Sequence, residues 1–198
     1  FDHFQKGYSY HGLDKLSLDA FFQDNSYLKT KLTYEMFEMM GVPSPLSSYT
    51  QIKINGQDWG LYLAIEEIED SFLARNFGYD HGKLYKPDYA NIADANLDIG
   101  LNYLGDDPDL YPGIFNNART SISEADKKRL INVLKEYNDG NFKRLNLEMI
   151  LKYFCVQIFC LNWDSYIGHT GHNYFLYEDN GIVALLPWDY NLAFGTYH

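Results

Sequence analysis

The chain has 198 residues, of which 46% are hydrophobic and 17% aromatic, enough for one compact domain or two small lobes and too apolar for general disorder. A formal net charge of −11 argues against nucleic acid as the main partner, since phosphate backbones demand a cationic footprint and no Lys/Arg stripe is present. No apolar run reaches the ~18 residues that a membrane-spanning helix needs.

The first predicted helix covers residues 26 to 40. Residues 24 to 26 offer an N-cap, Leu28, Leu32, Met36 and Met39 mark a face expected to be core, and Gly41 with Pro43 ends it. From residue 49 to 65 the pattern shifts to period two around Asn55-Gly56, the dipeptide that best supplies the two positive φ angles of a type I′ hairpin turn. A short helix over residues 68 to 77, stopped at Gly78, leads to a strand over residues 83 to 86 that Pro87 halts.

Residues 88 to 120 are irregular, and the acidic cluster over residues 105 to 109 reads as a turn or a cation site. Ser123 with Asp126 forms a capping-box pattern for a helix to about residue 137, and Asn146 opens a longer apolar helix to about residue 162. Cys155 and Cys160 lie five apart on that helix, point to different faces, and are expected to be core thiols rather than a disulfide. The redox compartment is therefore left open. Residues 174 to 177 and 182 to 186 predict a second hairpin around residues 179 to 181. With no repeat or linker, the chain is expected to form one α+β domain over residues 1–198, with a β-rich lobe over about 1–90 and a mostly helical lobe over about 91–198.

Chemistry concentrates near the C-terminal end. Asp164 follows the most hydrophobic helix, where a buried element emerges into a loop. Asn173 and Asp189 flank the second predicted hairpin, so both return to one end of a sheet. A loop Asp beside an Asn and an Asp is the arrangement with which protein kinases hold magnesium next to the residue that accepts the hydroxyl proton. Loop Asp and Asn residues that simply accept backbone hydrogen bonds give the same spacing, so spacing alone leaves both readings open.

Longer phrases carry more information. Residues 162 to 166 (NWDSY), 172 to 177 (HNYFLY) and 187 to 195 (PWDYNLAFG) resemble the CotH family of spore-coat and secreted kinases. So do Gly41-Val42-Pro43 and the first hairpin, from Ile54-Asn55-Gly56 through Gly60-Leu61-Tyr62 to Glu66. The resemblance is ordered along nearly the whole chain. It implies an atypical, kinase-like bacterial enzyme that uses ATP and a divalent cation, magnesium with manganese or calcium as alternatives, to phosphorylate serine or threonine on coat or cell-surface proteins. It also implies an extracellular, cell-surface or spore-coat location. By the resemblance, Asp164 is similar to the family's catalytic Asp, Asp189 to its metal-binding Asp, and Asn173 to the second metal ligand on a hairpin that carries both.

Further nucleotide contacts are expected from Tyr85 and Trp188, whose rings would sandwich the adenine, and from Lys86 or Lys29, either of which would meet the phosphates with Glu66 as ion-pair partner. Ordinary core packing would equally account for the two aromatics. No Gly-rich phosphate loop or Walker A pattern is present, and the strands that usually precede the Gly12-Leu13 segment in relatives are expected to lie upstream of this sequence. Two other readings stand beside the kinase. One is a metal-dependent or two-carboxylate hydrolase of surface polysaccharide using Asp164, Asp189, His169 and His172. The other is a non-catalytic coat or scaffold module.

Overall fold

The fold is that of a computed structural model, which describes residues 1, 5, 7–89 and 98–197. Residues 90–97, part of the stretch expected to be irregular, lie outside the described residues. The described residues form two three-stranded antiparallel sheets and five α-helices. The first sheet has the order β1-β3-β2, from β1 (Leu16–Asp19), β2 (Ser47–Ile54) and β3 (Gln57–Glu66). The second has the order β4-β5-β6, from β4 (Lys83–Tyr85), β5 (Tyr174–Asp179) and β6 (Ile182–Pro187). The helices are α1 (Lys29–Met39), α2 (Asp70–Phe77), α3 (Pro112–Phe115), α4 (Glu124–Asn138) and α5 (Leu147–Phe159). The α+β expectation holds.

Local chemistry explains most boundaries. Asn55 (φ 51°) and Gly56 (φ 81°) turn β2 into β3, and Asn180 (φ 50°) and Gly181 (φ 82°) turn β5 into β6, the two left-handed residues that a type I′ turn requires. Ser123 and Asp126 make the reciprocal capping box of α4, and the Asn146 side chain accepts the Met149 amide at the start of α5. The acidic cluster is a turn: Pro108–Leu110 forms a 3-10 turn whose entry Asp107 caps by accepting the Asp109 amide.

Two expectations about α1 are corrected. Tyr27 sits at φ 60°, which bars the right-handed helix from starting at residue 26; Asp24, one of the expected capping residues, still accepts the Lys29 amide at 2.9 Å where the helix begins. Its buried stripe is Thr30, Thr33, Tyr34 and Phe37, while Leu28, Leu32 and Met39 are exposed. The aromatic pair on that stripe outweighs the aliphatic face because Tyr34 packs edge-on and Phe37 at a tilt against the Tyr190 ring. Burying a ring such as Phe37 contributes about 1.5–3 kcal/mol. Cys160 is a core thiol but Cys155 is exposed, the outcome of their five-residue spacing around the helix.

The second sheet is covered on both faces, and strand alternation divides its side chains. Tyr85, Tyr174, Leu176, Val183 and Leu185 pack with α1, α4 and α5 in the main core. Leu84, Phe175, Tyr177 and Leu186 pack with Phe72 and Leu73 of α2. Glu178 is fully buried at the far end of β5, where Arg129 of α4 grips it through Nε (2.7 Å) and Nη2 (2.8 Å) and the Gly181 amide adds a third bond (2.6 Å). That clasp fixes the hairpin that carries the site. Among the described residues no helix is long and apolar enough to cross a membrane.

Candidate active site

Tyr174 pairs with Pro187, so Asn173 and Asp189 leave the hairpin at the same end. Both have left-handed backbones, φ 56° and 61°, a region that Asn and Asp enter more readily than most side chains. The chain therefore bends sharply out of the sheet at both residues and aims them away from the ladder.

Asp164 arrives from the loop after α5. Asn173 Nδ2 donates to its Oδ2 at 3.0 Å and to its main-chain carbonyl at 3.1 Å, and His172 Nε2 lies 3.3 Å from Oδ1. The His172 contact, helped by Asn173 and opposed by burial, holds the Asp164 carboxyl below the usual carboxylate range. Both of its oxygens are thus oriented. The loop closes tightly because Gly168 has no side chain: its amide donates to the Ser165 carbonyl at 2.9 Å, and a Cβ there would collide with the Trp163 carbonyl.

Asp189 lies on the floor of a cleft of about 370 Å³. Ser17, Asp19 and Ile65 of the first sheet form one wall, Trp188 and Asn191 flank Asp189, and Thr30 and Tyr34 of α1 close one end. Solvent reaches the residue, yet protein surrounds it densely. Desolvation raises its carboxyl above the usual range, and the Asp164 charge raises it further; the Asn191 amide and the Lys86 charge pull the other way without prevailing. The Asp189 amide is fixed by the Tyr34 hydroxyl. Asp19 faces the same cleft, its carboxyl also raised by burial, and no sequence signal marked it.

Lys86 is the cation of this region. It is 8% exposed, its ammonium sits 5.6 Å from the Phe175 ring centroid, and its side chain makes no hydrogen bond among the described residues. Burial lowers its pKa, against the pull of Asp88 and Asp189. A buried ammonium without a hydrogen-bonding partner is costly unless something anionic meets it.

The other expected nucleotide contacts separate. Tyr85 is fully buried in the main core beside Phe115, on the opposite face of β4 from Lys86, because adjacent strand residues point to opposite faces. It does not reach the cleft, whereas Trp188 lines it, edge-on to Phe175. Glu66 is buried and pairs with Arg75 of α2, not with Lys86 or Lys29. Lys29 donates to the Gln23 carbonyl (3.0 Å), the Asn191 carbonyl (3.0 Å) and Thr196 Oγ1 (2.9 Å). Two of these bonds tie α1 to the segment after Asp189, and the third holds the turn before α1. His169 is exposed in the loop and, among the described residues, makes no ion pair with the carboxylates.

The donor chemistry fits a hard cation. With Nδ2 turned to Asp164, the Asn173 Oδ1 has no hydrogen-bond donor among the described residues, and it stands beside two carboxylates that repel each other without a cation in hydrogen-bonding contact with Asp189. Oxygen donors alone suit magnesium, manganese or calcium rather than zinc. Among the described residues no group of three or more His, Cys, Asp or Glu forms a metal cluster. Such an ion would therefore rest on few protein ligands and take the rest from water and phosphate, the usual habit of magnesium.

Comparison with known proteins agrees with the phrases in the sequence. The family model described as "CotH kinase protein" matches residues 1–198. The chain is 24% identical over 196 residues to "Inner spore coat protein H" of Bacillus subtilis (strain 168), covering 94% of this chain and 52% of that protein. It is 43% identical over 51 residues to "Inner spore coat protein H-like protein" of the same organism, covering 26% of this chain and 17% of that protein. The chain spans about half the length, or less, of the curated relatives it matches. A family match over every residue, on a fold whose hairpin brings Asn173 and Asp189 to one end, means that this chain belongs to the CotH family.

Proposed function

We propose that this chain is the phosphotransfer core of a CotH-type protein serine/threonine kinase that uses ATP and a divalent cation, acting on coat or cell-surface proteins. The observation that carries the reading is the convergence at one end of the hairpin: the Asp164 charge raises the Asp189 carboxyl, the Asn173 amide oxygen has no hydrogen-bond donor among the described residues, and the buried Lys86 ammonium has no hydrogen-bonding partner among them. Asp189 and Asn173, with Asp164 alongside, would hold the ion. A magnesium ion bound there would neutralise charge on the β- and γ-phosphate oxygens.

In this reading Asp164 takes the acceptor hydroxyl's proton. The hydroxyl oxygen forms a bond to the γ-phosphorus of ATP, the bond to the bridging oxygen breaks, and ADP leaves. Asp164 suits the task because His172 and Asn173 fix both carboxylate oxygens and keep it ionised. Lys86 meets the phosphates, and Trp188 offers a ring face or edge to the base. Glu66 and Lys29 serve the fold.

The test is transfer of label from γ-labelled ATP to serine or threonine of an acceptor protein, with and without magnesium or manganese, using a full-length protein. Metal-dependent incorporation is expected; none with either metal overturns the proposal. The His172–Asp164 contact is the one observation that favours the hydrolase reading, and release of reducing sugar without ATP in the same samples would support it instead.

A further inference from the structure

Gln157 is a fully buried carboxamide in the last turn of the most apolar helix, α5. Such a group is costly to bury unless its partners are in place, and a Leu or Met would suit the surroundings better. Its partners are specific. Gln157 Nε2 donates to the Tyr190 hydroxyl at 2.8 Å, and Gln157 Oε1 accepts Asn162 Nδ2 at 3.1 Å. The Asn162 amide also donates to the Gln157 carbonyl at 3.1 Å. Tyr190 and Asn162 are themselves 0% and 1% exposed.

Those partners come from the two segments that carry the carboxylates. Tyr190 directly follows Asp189, and its ring is wedged against Tyr34 and Phe37 of α1. Asn162 lies two residues before Asp164, and its carbonyl accepts Ser165 Oγ at 2.7 Å, so the residues on both sides of Asp164 are pinned to one anchor. A single carboxamide therefore joins the backbone around Asp164 to the backbone around Asp189. Repulsion between the Asp164 and Asp189 charges otherwise pushes the two segments apart.

We infer that Gln157 is a positioning residue: through Tyr190 and Asn162 it sets the separation of Asp189 and Asp164 that metal binding and phosphotransfer require. The inference rests on the functional reading of those two carboxylates. Gln157 is buried and does not line the cleft, and its effect passes through its side-chain hydrogen bonds to Tyr190 and Asn162. Removing it leaves buried polar partners unpaired and lowers the melting temperature, while the displaced carboxylates also weaken metal binding and kcat in molecules that remain folded. That separates a positioning role from ordinary core packing.

The test compares wild type, Gln157→Met, Tyr190→Phe and the double variant. It uses melting temperature, Mn²⁺ affinity by electron paramagnetic resonance without nucleotide, and kcat and KM for ATP. Gln157→Met leaves the Asn162 side-chain amide and the Tyr190 hydroxyl buried without this partner, so it is expected to melt below wild type, to bind Mn²⁺ several-fold more weakly, and, assayed well below its melting temperature, to lose at least tenfold in kcat at unchanged KM. Tyr190→Phe, which removes one oxygen, should show the same pattern, and the double variant should be no worse than the poorer single one. Wild-type Mn²⁺ affinity and kcat in either single variant overturn the inference, as do additive losses in the double. Should Gln157→Met fail to fold, Tyr190→Phe decides alone. A wild-type protein that neither binds Mn²⁺ nor transfers phosphate overturns the underlying reading and the inference with it, whereas silent variants of an active wild type overturn only the linkage.

Discussion

Replacing Arg129 by Met should unfasten the hairpin that holds the site. Glu178 would be left fully buried with only the Gly181 amide in place of a two-point guanidinium clasp. Breaking a buried ion pair by removing one partner costs about 3–5 kcal/mol. Arg129 is itself one-third exposed, so solvent already weakens the pair, and the lower end, about 3 kcal/mol, applies. For a chain of 198 residues that corresponds to a fall of roughly 6–12 °C in melting temperature. Chemical denaturation should show the midpoint move with the slope unchanged. Glu178→Gln, which keeps an acceptor and leaves Arg129 its Asp126 contact, should cost less, about 1–2 kcal/mol. The clasp lies at the opposite end of a six-residue strand from Asn173, roughly 20 Å away. Folded Arg129→Met should therefore keep its kcat. A loss below about 1 kcal/mol would refute the view that this pair secures the hairpin.

Other expectations concern the cleft. Asp164→Asn, which keeps the hydrogen-bonding shape but cannot take a proton, should lower kcat by roughly 10²–10⁴-fold with little change in ATP binding, read by steady-state kinetics. Asp189 has a raised folded pKa, so its contribution favours the fold at low pH and is lost as pH rises through that value. Asp189→Asn should accordingly melt at or above wild type at pH 7 while losing Mn²⁺ binding. In the wild type, Mn²⁺ affinity should fall as pH drops through the same raised value, measured by titration at several pH values. Lys86→Met, apolar and of similar length, should raise the melting temperature by removing a buried charge and reduce kcat/KM for ATP by roughly 10²-fold. Gly168→Ala should displace the Asp164 loop, because the new methyl group meets the Trp163 carbonyl, and should impair activity more than global stability.

Much of this was legible in the sequence where structure is set locally. Asn55-Gly56 and Asn180-Gly181 demand left-handed pairs, and Ser123 and Asn146 announce helix starts through their own side chains. The nomination of Asp164, Asn173 and Asp189 came from phrases and spacing, and the hairpin brings the last two together for a local reason, the register set by its turn. What escaped depends on distant pairing. β1 is four residues long and exists because β3, more than forty residues on, accepts it. Glu66 selects Arg75, nine residues away on a helix, over the lysines expected for it. Tyr85 and Lys86 were assigned to one pocket although a strand separates neighbours onto opposite faces. Gln157 gives no signal at all, since a lone Gln in an apolar helix reads as a surface position until its partners across the core are seen.

The most direct test of the central claim is a crystal structure of the protein soaked with a non-hydrolysable ATP analogue and Mn²⁺, with the ion located by its anomalous signal. The account expects an ion within about 2.0–2.4 Å of an Asp189 carboxylate oxygen and Asn173 Oδ1, bridging to phosphate oxygens, with Lys86 on the phosphates and Asp164 facing the γ-phosphorus. Nucleotide bound elsewhere, or an ion that touches neither Asp189 nor Asn173, would contradict it.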